Sequence, residues 1–142
     1  MASGAGATAT ANTYDARNRR TRTTFADNAF ETQTFDANGN LKTLTDANTQ
    51  ATTYTYDARN RETKKAFAAS ADGLTAIDTQ YDANGNVTQT KENYGAGLTR
   101  IRTRSYDAFN RLERETDPWS QGNAQASISR IYDAHEIRGC KA

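Results

Sequence analysis

A single cysteine, Cys140, and a single histidine, His135, exclude two kinds of site at once. No intrachain disulfide framework can form, and no Cys/His cluster can hold zinc. Large apolar side chains are also scarce. Leu, Ile, Val and Phe together number 16 of 142 residues, and nearly half of the hydrophobic residues are Ala. A thick aliphatic core is therefore excluded, and stability has to come from sheet hydrogen bonds, stacked aromatics and neighbouring segments or copies. Charge of one sign is lacking too. The formal net charge is +1, and arginines interleave with aspartates and glutamates. That describes a solvated mixed-charge surface and gives no broad field for nucleic acid or an anionic membrane. No stretch approaches the length of a membrane span. The N-terminal Met1-Ala2-Ser3-Gly4-Ala5-Gly6-Ala7 lacks the apolar run of a signal peptide, and a mature secreted product with its signal removed stays compatible with that.

Against these absences stands a strict internal repeat. Tyr/Phe-Asp-Ala recurs at Tyr14, Phe35, Tyr56, Tyr81, Tyr106 and Tyr132, with spacings of 21, 21, 25, 25 and 26 residues. Near-zero net charge and this regularity argue for a folded array despite the poor apolar inventory. The residues that follow alternate. Tyr14, Tyr56 and Tyr106 lead into Arg-Asn-Arg or Phe-Asn-Arg, whereas Phe35 and Tyr81 lead into Asn-Gly-Asn. The unit is thus a pair of hairpins of two types. Short β-prone runs flank each motif, such as Thr52-Thr53-Tyr54-Thr55-Tyr56 before and Leu41-Lys42-Thr43-Leu44-Thr45 after. The 22 threonines fit the same β propensity. Length differences are expected to fall in the connections, which carry turn formers such as Asp72-Gly73, Gly95-Ala96-Gly97 and Asp117-Pro118.

The motif has a mechanical reading. Asp15, Asp36, Asp57, Asp82, Asp107 and Asp133 occupy the first position of a four-residue turn, where a carboxylate accepts backbone N–H bonds. The fourth position is Asn18, Gly39, Asn60, Gly85 or Asn110, the residue types that best tolerate positive φ. This predicts a type I turn closed by a bulge in each hairpin. The six aromatics should then align as one ladder, with Arg19, Arg61 and Arg111 able to pair with an Asp or lie over a ring. The last unit departs from the pattern, because Glu136 stands where positive φ is wanted and six residues remain for a return strand. The array reads as truncated there. The expected organisation is an N-terminal strand-like arm at 1–13, the repeat array at 14–136 and a tail at 137–142.

This Tyr-Asp-x-x-(Gly/Asn)-(Arg/Asn) pattern with a Thr-rich return strand resembles the RHS or YD-repeat family over about residues 13–136. That family includes bacterial RHS toxins, the B and C components of insecticidal toxin complexes, and teneurins. The resemblance implies an all-β fold of tandem β-hairpins forming a continuous spiralling antiparallel sheet, which in the family curls into a hollow shell around a toxin or cargo. Two departures matter. Family shells use many more repeats, and the Asp-Pro-x-Gly signature of the self-cleaving cap is absent, since Asp117-Pro118-Trp119-Ser120 lacks its glycine. Shell closure, encapsulation and autoproteolysis therefore do not carry over.

The competing chemistries are weaker. Aspartates abound, but the turn accounts for them and no nucleophile constellation accompanies them, so no enzyme, catalytic residue or cofactor is expected. Asp36-Ala37-Asn38-Gly39-Asn40 and its counterpart at Asp82 begin like a calcium loop but lack Gly at the sixth position and Glu at the twelfth. No metal site is expected. Asn86-Val87-Thr88 is an N-glycosylation sequon at the start of a return strand, a poor place for a glycan. Three functional readings follow. The first is an extracellular or cell-surface structural protein that self-assembles head to tail through open sheet edges, with Thr8–Thr13 as the donated strand. The second is a fragment of a larger RHS shell whose partners are its remaining repeats. The third is a glycan-binding surface built on exposed tyrosines.

Overall fold

The computed structural model describes residues 9–68 and 70–116, together with the backbone of 119–120 and 130–131. The chain divides into two compact units, Met1–Asp72 and Gly73–Ala142. Unit one contains β1 (Ala11–Tyr14), β2 (Arg20–Thr24), β3 (Phe30–Phe35), β4 (Leu41–Thr45), β5 (Ala51–Tyr56) and β6 (Glu62–Phe67). Each strand pairs antiparallel with the next. Unit two contains β7 (Leu74–Tyr81), β8 (Val87–Tyr94), β9 (Thr99–Tyr106), β10 (Leu112–Thr116), β11 (Trp119–Ser120) and β12 (Arg130–Ile131). Here β7 to β10 follow in order, β12 pairs with β10, and β11 pairs with β9. The fold is all-β and antiparallel, as the alternating Thr-rich runs predict.

The apolar deficit has the expected consequence. Among the described residues only Ala76 and Thr23 are buried, at 8% and 7% exposure. Cross-strand pairs stand in for a core. The Arg22 guanidinium lies 3.8 Å from the Phe30 ring centre and the Lys65 ammonium 5.6 Å from that of Tyr54, each across a strand pair, and Lys65 also lies 5.3 Å from Phe67 in its own strand. The Thr34 and Thr43 hydroxyls bond across the β3–β4 pair, and those of Thr103 and Thr116 across β9–β10. Arg104 Nε donates to Glu115 Oε2 at 2.8 Å in the same pair. Each such pair contributes about 0.2–1 kcal/mol, so the sheet is held by many small terms.

Two features differ from the sequence reading. Length variation is not confined to connections. Between Tyr81 and Tyr106 the strands β8 and β9 have eight residues each, against five and six for β4 and β5. The connection itself is the short turn at 95–98, closed by Tyr94 N donating to Leu98 O at 2.8 Å. A strand can lengthen when its neighbour does, because each added residue finds a ladder partner. The second feature is an extra bulge in the return strand beside each of the five described motif aromatics. Thr13 faces Arg22 while Tyr14 faces Arg20, and the same slip follows Phe35, Tyr56, Tyr81 and Tyr106. Where the extra residue is Thr21 or Thr63, its hydroxyl donates to the Thr13 or Thr55 carbonyl, at 3.3 and 3.2 Å. Such bulges increase local strand twist.

Candidate functional site

The motif turns line one end of the hairpins in each unit. Asn18, Asn60 and Asn110 have φ of 60, 59 and 60°, and Gly39 and Gly85 have φ of 96 and 99°. Each fourth-position N–H donates to the carbonyl of the turn Asp, and each Asp N–H donates to the carbonyl of the residue after the turn, as in Asp15 N to Arg19 O at 2.9 Å. This is the type I turn with a bulge. The aromatic before each Asp faces the first residue of the return strand, Tyr14 with Arg20, Phe35 with Leu41, Tyr56 with Glu62, Tyr81 with Val87 and Tyr106 with Leu112. Tyr132 and Asp133 lie outside the described residues.

The carboxylates are occupied. Oδ1 of Asp57 accepts the Arg59 and Arg61 backbone N–H at 2.8 and 3.0 Å, and Oδ2 takes a fork from Arg61, Nε at 2.7 Å and Nη2 at 2.6 Å. Arg19 and Arg111 hold Asp15 and Asp107 in the same way. In the other hairpin type the Asn40 and Asn86 amides replace the guanidinium, donating to Asp36 and Asp82 Oδ2 at 3.0 and 2.9 Å. Hydrogen bonds to the charged form hold all five carboxyls below the usual range. The largest contribution comes from the side chain of Asn40, Arg61 or Asn86 for Asp36, Asp57 and Asp82. For Asp15 and Asp107 it comes from the backbone N–H of Arg19 and Arg111. A carboxylate so engaged fixes its turn. Among the described residues no group of three or more His, Cys, Asp or Glu could hold a metal ion.

The alternation of hairpin types acquires a physical basis from the contacts between hairpins. From an Arg-type to an Asn-type hairpin, the Arg19 guanidinium lies 4.2 Å from the Phe35 ring centre. From an Asn-type to an Arg-type hairpin, two amides converge on one acceptor. Asn38 and Asn40 Nδ2 donate to Asn60 Oδ1 at 3.1 and 2.8 Å, and Asn84 and Asn86 to Asn110 Oδ1 at 2.9 and 3.0 Å. Beside this clamp, Tyr56 donates its hydroxyl to Leu41 O at 2.8 Å, and Tyr106 donates to Val87 O at 3.0 Å. Burial and the nearby Glu62 raise the Tyr56 hydroxyl pKa above its usual value. Phe35, Tyr56 and Tyr106 thus each reach back to the preceding hairpin, through a guanidinium for Phe35 and a carbonyl for the two tyrosines. The clamp joins residues 20 to 26 apart, so sequence reasoning registered the alternation without its cause.

Residues 35–71 match the family model described as RHS Repeat. Those residues carry an RHS repeat. The match spans the first clamp, from Phe35 through Asn60. No curated protein matches the chain. A chain in the structure of the Photorhabdus luminescens Tc holotoxin pore has the same fold, with a TM-score of 0.71 at 13% identity. The likeness covers 85% of this chain and 7% of that one, so this chain spans a small part of the length of the matched chain. Among the described residues no helix is long and apolar enough to cross a membrane.

Proposed function

We propose that the chain is a non-catalytic structural segment of a larger RHS shell, in which its partners are further repeats or subunits of that assembly. The observation that carries this reading is where the recurring chemistry of the repeat is directed. Every motif group with a described partner bonds within its own turn or to the hairpin beside it, in unit one as in unit two. A sheet with almost nothing buried gains from more sheet on its edges and on its faces. The share of the matched toxin-complex chain supports the same assignment. An extracellular or cell-surface location accompanies it, by the RHS resemblance.

A second reading is head-to-tail self-assembly into a fibre, favoured by the four exposed residues of β1. Sedimentation and negative-stain microscopy of the purified chain separate the two. A shell segment sediments at its 15.6 kDa monomer mass and shows no filaments. Long unbranched filaments at micromolar concentration overturn the shell assignment in favour of the fibre.

A further inference from the structure

We infer that the β1 edge is a docking site for one kind of β-hairpin, the kind that turns through Asp-Ala-Asn-Gly-Asn and continues with an aliphatic residue. The inference rests on the reading that the sheet is extended by further repeats, and names the partner. The interface it describes occurs twice within the molecule. In both copies an Asn-Gly-Asn hairpin clamps the left-handed Asn of the following hairpin and accepts a Tyr hydroxyl on the carbonyl of Leu41 or Val87. The first hairpin has the receiving half of this interface. Asn18 has the same φ as Asn60 and Asn110, and Tyr14 stands where Tyr56 and Tyr106 stand. Among the described residues neither the Asn18 amide nor the Tyr14 hydroxyl meets a preceding hairpin. Tyr14 is 56% exposed, and β1 pairs on one side with β2.

The register follows from the two internal copies. Thr43 lies opposite Thr53, and Gln89 opposite Thr103, in each case two residues past the aliphatic residue and three before the Tyr. An incoming hairpin therefore sets the residue two past its aliphatic position opposite Ala11. Its two Asn amides then reach Asn18 Oδ1, and its aliphatic carbonyl reaches the Tyr14 hydroxyl. The chain's own Asn-Gly-Asn turns are engaged with Asn60 and Asn110. The sequence at its sixth motif, Asp133-Ala134-His135-Glu136-Ile137, offers neither Asn donor. The partner is thus a repeat other than these.

The test joins a copy of residues 30–50 directly before Ala9, so that Gln50 precedes Ala9 as it precedes Ala51 in the native chain. A control carries the same insert with Asn38→Arg and Asn40→Arg in the added hairpin. With the native insert, amide exchange across Ala11–Tyr14 should slow about tenfold, the effect of two or three added hydrogen bonds. Tyr14→Phe and Asn18→Gly should leave the urea midpoint of the unextended chain unchanged and should each lower it in the extended chain, as Tyr56→Phe should in either chain. The control insert should show neither effect. Equal protection by both inserts, with Tyr14→Phe and Asn18→Gly silent, overturns the hairpin selectivity while leaving edge extension intact. No protection from either insert overturns edge extension itself.

Discussion

Replacing Asn60 by Gly isolates the contact between hairpins from the turn that presents it. At φ of 59° glycine is free of the left-handed penalty that a side chain bears, which favours the variant, while its looser unfolded chain costs about 0.5–1 kcal/mol. These two effects nearly cancel. What remains is the loss of two hydrogen bonds, from Asn38 at 3.1 Å and Asn40 at 2.8 Å, both at the surface. At the low end of the usual net value, the pair contributes about 1 kcal/mol. Asn18→Gly is the matched control, with φ of 60°, the same flanking arginines and no clamp among the described residues. Both positions lie in unit one, so urea unfolding compares them within the same compact unit. The expected result is a midpoint for Asn60→Gly below that of Asn18→Gly by about 1 kcal/mol divided by the common m-value. Asn38→Ala, which removes one donor, should fall between them, and it should be silent on the Asn60→Gly background. Equal midpoints for Asn60→Gly and Asn18→Gly refute the claim that the clamp holds neighbouring hairpins together.

Two further outcomes test the turns. Gly39→Val should destabilise unit one by about 1–2 kcal/mol through left-handed strain alone, since a Cβ there would meet only Arg19 Nη1, at 3.7 Å; an unchanged urea midpoint contradicts the turn assignment. The five motif carboxyls have folded-state pKa values below the ordinary 3.8, so their contribution is full above that value and is lost as pH falls through the depressed values. Thermal unfolding by circular dichroism should accordingly give a midpoint that is level above about pH 5 and falls steadily below about pH 4, and a midpoint independent of acid removes the aspartates from the account of stability.

The turns were the legible part of this sequence, and for a local reason. An Asp followed three residues later by Gly or Asn encodes its own geometry within five residues, and Asn18, Gly39, Asn60, Gly85 and Asn110 all take positive φ. The opposite ends of the hairpins were less legible. Asn28 and Thr49 also have φ of 66 and 64°, closing the same five-residue turn at 25–29 and 46–50. Asp46-Ala47-Asn48 repeats the Asp-Ala-Asn of the turns at Asp36 and Asp82, and Asp46 Oδ1 accepts the Asn48 and Gln50 N–H at 2.9 and 2.8 Å. It escaped notice because Thr45, not an aromatic, precedes it, and because β-branched Thr49 is the wrong residue for a left-handed position by propensity. The bulges past each aromatic leave no mark on the side-chain pattern beyond Thr21 and Thr63, since they are events of the backbone ladder. The clamp needed the third dimension, for its donors and acceptor belong to different turns.

The two kinds of junction between hairpins also constrain how a gene for such a chain can change length. Excising the single hairpin around Gly39 would bring Asn18 and Asn60 turns side by side, with arginines facing an acceptor that needs amide donors. Excising two consecutive hairpins rejoins like with like, as from Tyr14 to Tyr56 or from Tyr56 to Tyr106, and every junction keeps its partner. In-frame gains and losses of coding sequence are thereby tolerated in multiples of two hairpins, and an odd step leaves a scar that later point mutation must repair.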